Sequence, residues 1–254
     1  MSRSFGFDYM LEIASGSVAG HTCVNKFGEN PLVAVNTTED VWDGGGTYVF
    51  PTSATITHIR QATDQVGTDA NATIEVQGLD TNWALVVQTA DLDGADTTTE
   101  VALGTALRRV FRMKVLEDIV LAADIWTGAT GVAAATAKAI IQTGNNQTLM
   151  AIYTVPADKT AYMTHYYVDN IPVVNRHPDG VEFKLWVADR ANTYEFQLKH
   201  MRGVAEDASG VEQSFRPYLK ITEKSDIKIS AGISGSAGED GNCHAGFDLI
   251  LVDN

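Results

Sequence analysis

The feature that most constrains this chain is an internal repeat. "TYVFPTSATITHI" (47–59) aligns with "IYTVPADKTAYMTHYY" (152–167), placing Tyr48, Pro51, Thr57 and His58 over Tyr153, Pro156, Thr164 and His165. "LDTNWALVVQT" (79–89) follows the plan of "ADRANTYEFQLK" (188–199), with Asp80 over Asp189. "KVLEDIVLAADIW" (114–126) lies against "TEKSDIKISAGIS" (222–234), with Asp118 and Ile119 over Asp226 and Ile227. "TAKAIIQ" (136–142) lies against "HAGFDLILV" (244–252). The offset drifts only between 105 and 109, so the chain reads as two copies of one unit.

The unit is a β unit. Helical periodicity is confined to short stretches near Leu11–Val18 and Ala134–Ile141. Short alternating runs dominate instead, including Thr55–Arg60, Ala72–Gln77, Ala84–Thr89, Leu107–Val115, Ala161–Val168, Val181–Val187, Tyr194–Met201, Ile227–Ile233 and Phe247–Val252. Turn-rich stretches such as "DLDGADTTTE" and "SGSAGEDGN" separate them. The expected fold is all-β, with two tandem, internally duplicated β-sandwich domains of jelly-roll-like form. An N-terminal arm (1–44) precedes a first sandwich (45–145) and a second (146–254).

The arm carries Phe5, Phe7, Tyr9 and Phe27, too many aromatics for a free tail, so it is expected to pack on its own sandwiches or a neighbouring subunit. At its end "EDVWDGGGTYVFP" (39–51) sets Trp42 beside Gly44, Gly45 and Gly46. The glycines have no counterpart in the second copy. They read as a backbone hinge able to take positive φ, with Trp42 as the packing anchor. These eight residues are the candidate interface set.

Charge and motifs narrow the function. With 18 basic and 32 acidic residues the net charge is −14, which opposes direct binding to nucleic acid or anionic membranes. No apolar run reaches the ~18 residues of a membrane span. The N-terminus lacks the basic start and apolar core of a secretory signal, so folding in a cytoplasm is expected. Asp91, Asp93, Asp96 and Glu100 echo a calcium loop, but Gly94 and Glu100 are out of EF-hand register, favouring a solvated hairpin loop. His21, Cys23, Cys243 and His244 lack zinc-motif spacing. His58 and His165 occupy equivalent places and suggest a shared packing role. Phosphate-loop and nucleophile-elbow signatures are absent, so no catalytic residue, cofactor or metal is assigned and the chain is expected not to be an enzyme. A carbohydrate-active sandwich enzyme is the remaining enzymatic alternative. The four dispersed tryptophans, Trp42, Trp83, Trp126 and Trp186, are its only candidate sugar platforms.

"VNKFGENP" (24–31), "EDVWDGGGTYVFP" (39–51), "IEVQGLD" (74–80), "YTVPADKTAYM" (153–163), "EKSDIKI" (223–229) and "AGFDLILVDN" (245–254) resemble a family of structural proteins of marine tailed bacteriophages. The resemblance spans nearly the whole chain and rests on strand and turn motifs. It implies a virion component assembled in the host cytoplasm, most simply a head decoration or cement protein. Its partner would be the major capsid protein and its own form a homo-oligomer, with a trimer favoured. A neck or tail adaptor, or a host-binding tail protein, is the alternative within the same particle.

Overall fold

The computed structural model describes residues 9–171, 178–205 and 210–254. The chain opens with helix α1 (Tyr9–Ala14) and strands β1 (His21–Val33) and β2 (Thr38–Asp40). Seven strands follow: β3 (Ile56–Gln61), β4 (Thr73–Leu79), β5 (Leu85–Asp91), β6 (Val101–Leu107), β7 (Arg109–Val115), β8 (Ile125–Gly128) and β9 (Ala139–Ile141). The last seven are β10 (Ile152–Thr154), β11 (Lys159–Ile171), β12 (Gly180–Asp189), β13 (Gln197–Ala205), β14 (Val211–Ile221), β15 (Ser225–Ser234) and β16 (Gly241–Asp253).

Alternation drives the central strands. In β12, Val181, Phe183, Leu185 and Val187 point inward while Glu182, Lys184 and Trp186 stay partly exposed. Each such buried apolar side chain contributes roughly 1.5–3 kcal/mol. Two cores result. One gathers Phe183, Tyr166, Phe247 and Ile229, and the other gathers Ile59, Ile74, Leu107 and Met113.

The strand order defines both sandwiches as jelly rolls. In that fold eight strands, lettered B to I along the chain, form sheets ordered B-I-D-G and C-H-E-F. The C-terminal sandwich has sheets β1-β16-β11-β14 and β10-β15-β12-β13, with β2 pairing β15 beside β10. Strands β1, β2 and β11 to β16 thus occupy positions B to I in chain order. The N-terminal sandwich has sheets β6-β3-β8-β9 and β5-β4-β7. Here β3 to β8 fill D to I, and β9 fills B beside β8. Position C falls to residues 146–148, which hydrogen-bond along β7 through Val115 N to Asn146 O and Thr148 N to Met113 O.

The duplication is visible in detail. The central D strands, β3 and β11, each shift register at the Thr before the aligned histidine, Thr57 and Thr164. Asp80 and Asp189 each cap the turn from E to F, accepting from Asn82 N and Asn192 N. Each turn also holds one residue at positive φ, Trp83 and Thr193.

The later half of the sequence alignment is corrected. Asp118 lies outside the strands, whereas Asp226 lies in β15. Arg109 faces Leu79 across β4–β7, and Asp226 faces Ala188 across β12–β15. Arg109, not Asp118, is therefore the counterpart of Asp226. Likewise β8, not "TAKAIIQ", corresponds to β16. Strands β13 and β14 are longer than β5 and β6, which pushes the true offset past the range where the motifs seemed to match.

The place of the arm also changes. Residues 21–40, expected outside the sandwiches, supply strands B and C of the second one. Of the described arm residues, 9–20 precede these strands and carry helix α1. The linear order is B-C-D-E-F-G-H-I written twice, but each jelly roll takes its B and C strands from the other repeat.

Candidate interaction surfaces

The candidate interface residues fall in three places. Phe5 and Phe7 lie outside the described residues. Tyr9 begins α1, which rests on the outer face of the β1-β16-β11-β14 sheet. Its hydroxyl is 3.4 Å from His21 Nε2, its ring meets His21 edge-on, and Ile13 is buried beneath the helix. Between α1 and the sheet lies an apolar hollow of about 320 Å³ bordered by Tyr162, Tyr218, Ile250 and Val252. Tyr9 is 53 % exposed and Tyr218 47 %, and Met10 and Leu11 are also open to solvent.

Phe27 sits mid-strand in β1, in one cross-strand row with Gly246 and Tyr167. A Cβ on Gly246 would overlap the Tyr167 ring, so glycine there lets the tyrosine lie flat across β16. This is a different part of the sheet from α1, and the structure does not bring Phe27 to Trp42.

Trp42 and the three glycines form the crossing between the sandwiches. Residues 41–43 run antiparallel to 149–151, joined through Asp43 N to Leu149 O and Ala151 N to Val41 O. Gly45 and Gly46 both take φ of +63°, as a reversal there requires. Gly44 does not, but a Cβ on it would overlap the Trp42 ring. Hydrogen bonds from Gly45 N to Trp42 O, Asp40 N to Gly46 O and Gly46 N to Glu39 Oε2 close the loop. Trp42 is buried and meets Tyr48 edge-on at 5.1 Å. The stretch is a fixed turn, not a free hinge.

Asp43, in this turn, is buried; its carboxylate accepts from Leu149 N and its other oxygen has no partner. Burial first, and the nearby Glu29 charge with it, pushes its pKa up to about 8 against the hydrogen bond from Leu149.

Sequence reasoning missed the polar knot locking the sandwiches together. Asp226, fully buried, receives Arg109 Nε and Nη2 at 2.8 and 2.9 Å, Arg190 Nε at 2.9 Å and Thr154 Oγ1 at 2.7 Å. Arg109 also donates to Pro51 O and lies over the rings of Phe50 and Trp83. Equivalent residues of the two copies thus form one bidentate pair across the interface. No motif flags this, because the partners share only a register position.

The other candidates separate. Asp93 accepts from Ala95 N, Asp96 from Thr98 N and Glu100 from Gly131 N and Val132 N, so each caps a different piece of backbone. Cys23 pairs with Ile250 and Cys243 with Asn30, seven residues apart along β1, or roughly 23 Å. His58 contacts Thr57 and Thr130, whereas His165 lies 3.7 Å from Asp248 and 3.6 Å from Glu212. Their strand position is shared and their partners are not. Among the described residues no group of three His, Cys, Asp or Glu is arranged to hold a metal, and no helix is long and apolar enough to cross a membrane.

No protein-family description matches the chain, and no curated protein matches it. Among solved structures it is similar to one of infectious bursal disease virus, Gt strain, at 14% identity and a TM-score of 0.25, over 92% of this chain and 73% of that one. It is also similar to the VP2 subviral particle of infectious bursal disease virus at 11% identity and a TM-score of 0.25, over 93% and 73% of the two chains. Scores this low do not carry a function from one chain to the other.

Proposed function

We propose that this protein is a non-enzymatic structural component of a virus particle, acting as a decoration or cement protein on the outer surface of a bacteriophage head. The observation that carries the reading is the pair of interlocked jelly rolls, the jelly roll being a fold that recurs in virus coats. It joins a fold-level analogy to the resemblance of the strand and turn motifs to phage structural proteins. Exchanged strands and a buried ion pair resist separation of the sandwiches, as a protein clamping a shell from outside needs. Tyr9, Met10, Leu11 and Tyr218 offer an exposed apolar patch for a neighbouring subunit. The partner is the major capsid protein, and the protein itself assembles as a trimer. A specific contact would bury on the order of 1,000 Å² or more.

Quantitative mass spectrometry of purified particles tests the location. On the order of hundreds of copies per particle supports a head protein, because capsid symmetry repeats each surface site many times. About a dozen copies would assign the protein to the neck or tail instead. Absence from the particle, or turnover of a host polysaccharide by the purified chain, would overturn the reading. Light scattering of the free protein checks the trimer, and Tyr9→Ser with Leu11→Ser is expected to weaken attachment without unfolding the chain.

A further inference from the structure

Where β1 of the second sandwich faces β7 of the first, a cleft of about 250 Å³ opens between them. Lys26 lines it and is only 3 % exposed. Its ammonium donates to the carbonyl of Phe111 on β7. Beside it Arg112 donates from Nη2 to Asn25 O at 3.3 Å. Among the described residues neither cation is within ion-pair distance of a carboxylate. No acid lines the cleft, although the chain carries 32 acidic residues. The third cation at its edge, Lys159, is engaged by Asp253.

An ammonium has three donors and a guanidinium five. Lys26 and Arg112 each spend one on a backbone carbonyl, so two neighbouring cations keep unspent donors in a partly dry cleft. Arg112 keeps a longer-range attraction to Glu75, but Lys26 is buried with no carboxylate within ion-pair distance, and leaving charge there unpaired is costly. The cost is visible in Lys26, whose pKa falls to about 7, first through burial and then through repulsion by Arg112, against a smaller opposing pull from Asp43. The rest of the lining is largely apolar, with Leu85, Phe111, Tyr153 and Pro156 as walls.

We propose that this cleft binds a small organic acid, its carboxylate between Lys26 and Arg112 and its apolar body against Phe111 and Tyr153. The volume lies just under the ~300–1,000 Å³ usual for small-ligand sites and fits a body of about one six-membered ring. Because β1 and β7 belong to different jelly rolls, the ligand would bridge them, and binding would stabilise their union.

The test uses the full chain and benzoate as probe, read by titration calorimetry and thermal unfolding. Benzyl alcohol serves as the uncharged analogue and inorganic phosphate as the bare anion. Benzoate is expected to bind saturably and raise the unfolding temperature, with benzyl alcohol and phosphate at least about tenfold weaker, the size of one charge-assisted hydrogen bond. Arg112→Gln and Lys26→Met should each weaken benzoate by a similar factor. Lys26→Met replaces a buried charge with an apolar chain of like length, so it should fold, and circular dichroism checks this. No saturable benzoate binding overturns the proposal. So does equal affinity for benzyl alcohol or phosphate, or unchanged affinity in both folded variants.

Discussion

Asp226 shows how much can rest on one residue. Its carboxylate has no exposure and satisfies two guanidiniums and a threonine hydroxyl. Removing one partner of a buried pair leaves the other charge uncompensated, which typically costs ~3–5 kcal/mol. Asp226→Asn keeps the shape and strands Arg109 and Arg190. The expected loss is in that range, read as a lower midpoint in urea with an unchanged slope. The glycine turn makes a smaller, graded case. Gly46→Ala has open space but a left-handed backbone, so it should cost about 1–2 kcal/mol, and Gly44→Ala should cost more because Trp42 must move. Asp43 brings a pH dependence. Its pKa is raised when folded, so the native state holds a proton that the unfolded chain releases. That stability is complete below about pH 4 and lost as pH rises towards about 8, with a slope of up to ~1.4 kcal/mol per pH unit. Lys26 acts oppositely above about pH 7, where its lowered pKa makes stability rise with pH. Asp43→Asn should flatten the unfolding free energy between pH 4 and 8 and leave the Lys26 limb in place.

Strand β1 explains which elements were legible in the sequence. The runs that announce themselves, such as β4, β11, β12 and β15, are central strands whose inward positions face an apolar core. At the end of β1 Val33 is buried, but the three buried positions before it, Lys26, Gly28 and Asn30, carry no hydrophobic alternation. They face the crossing between the sandwiches, where a Cβ on Gly28 would overlap the backbone at Met150 and Ala151 and Asn30 donates to Asp40 O. Pro31 adds to the disguise, but it sits where the pairing with β16 shifts register, a place that tolerates a missing N–H. Strands β6, β8 and β9, the first and last of them at the edges of their sheet, escaped for a related reason, being short or half-exposed. The fold class and the equivalence of Thr57–His58 with Thr164–His165 were legible because bulge and core demand similar residues in each copy. The knot at Asp226 and the cleft at Lys26 were not, because they depend on which strand lies beside which. Gly28→Val isolates the point, since valine is a good strand former yet should destabilise the chain by several kcal/mol through the clash at Ala151. Urea unfolding measures it, and a neutral or stabilising effect would contradict the close approach.

At the scale of the molecule the exchanged strands decide what can fold alone. The first jelly roll holds all eight strand positions within one continuous stretch, from β3 to residues 146–148, in the order D to I, then B and C. Its entry and exit lie side by side, as Trp42 bridges to Met150. It is in effect a circularly permuted jelly roll inserted between strands C and D of the second. The second is discontinuous and depends on residues 21–40 for its B and C strands. Two truncations follow. Residues 47–149 made alone should fold as a β protein with a cooperative transition, weakened by exposure of Leu79, Phe111 and the Arg109 side chain. Residues 41–254, lacking β1 and β2, should keep that transition while the second sandwich loses the edge strand along β16 and the cover over Val33's place in its core. Hydrogen exchange read by segment separates the outcomes. Protection in β3–β9 with loss in β11–β16 is expected, because an unpaired edge and an opened core remove the second sandwich's stability but not the first's. Equal protection throughout 41–254 would mean that β1 and β2 are additions to a sandwich already complete. Loss throughout would mean that the two jelly rolls fold only as one unit.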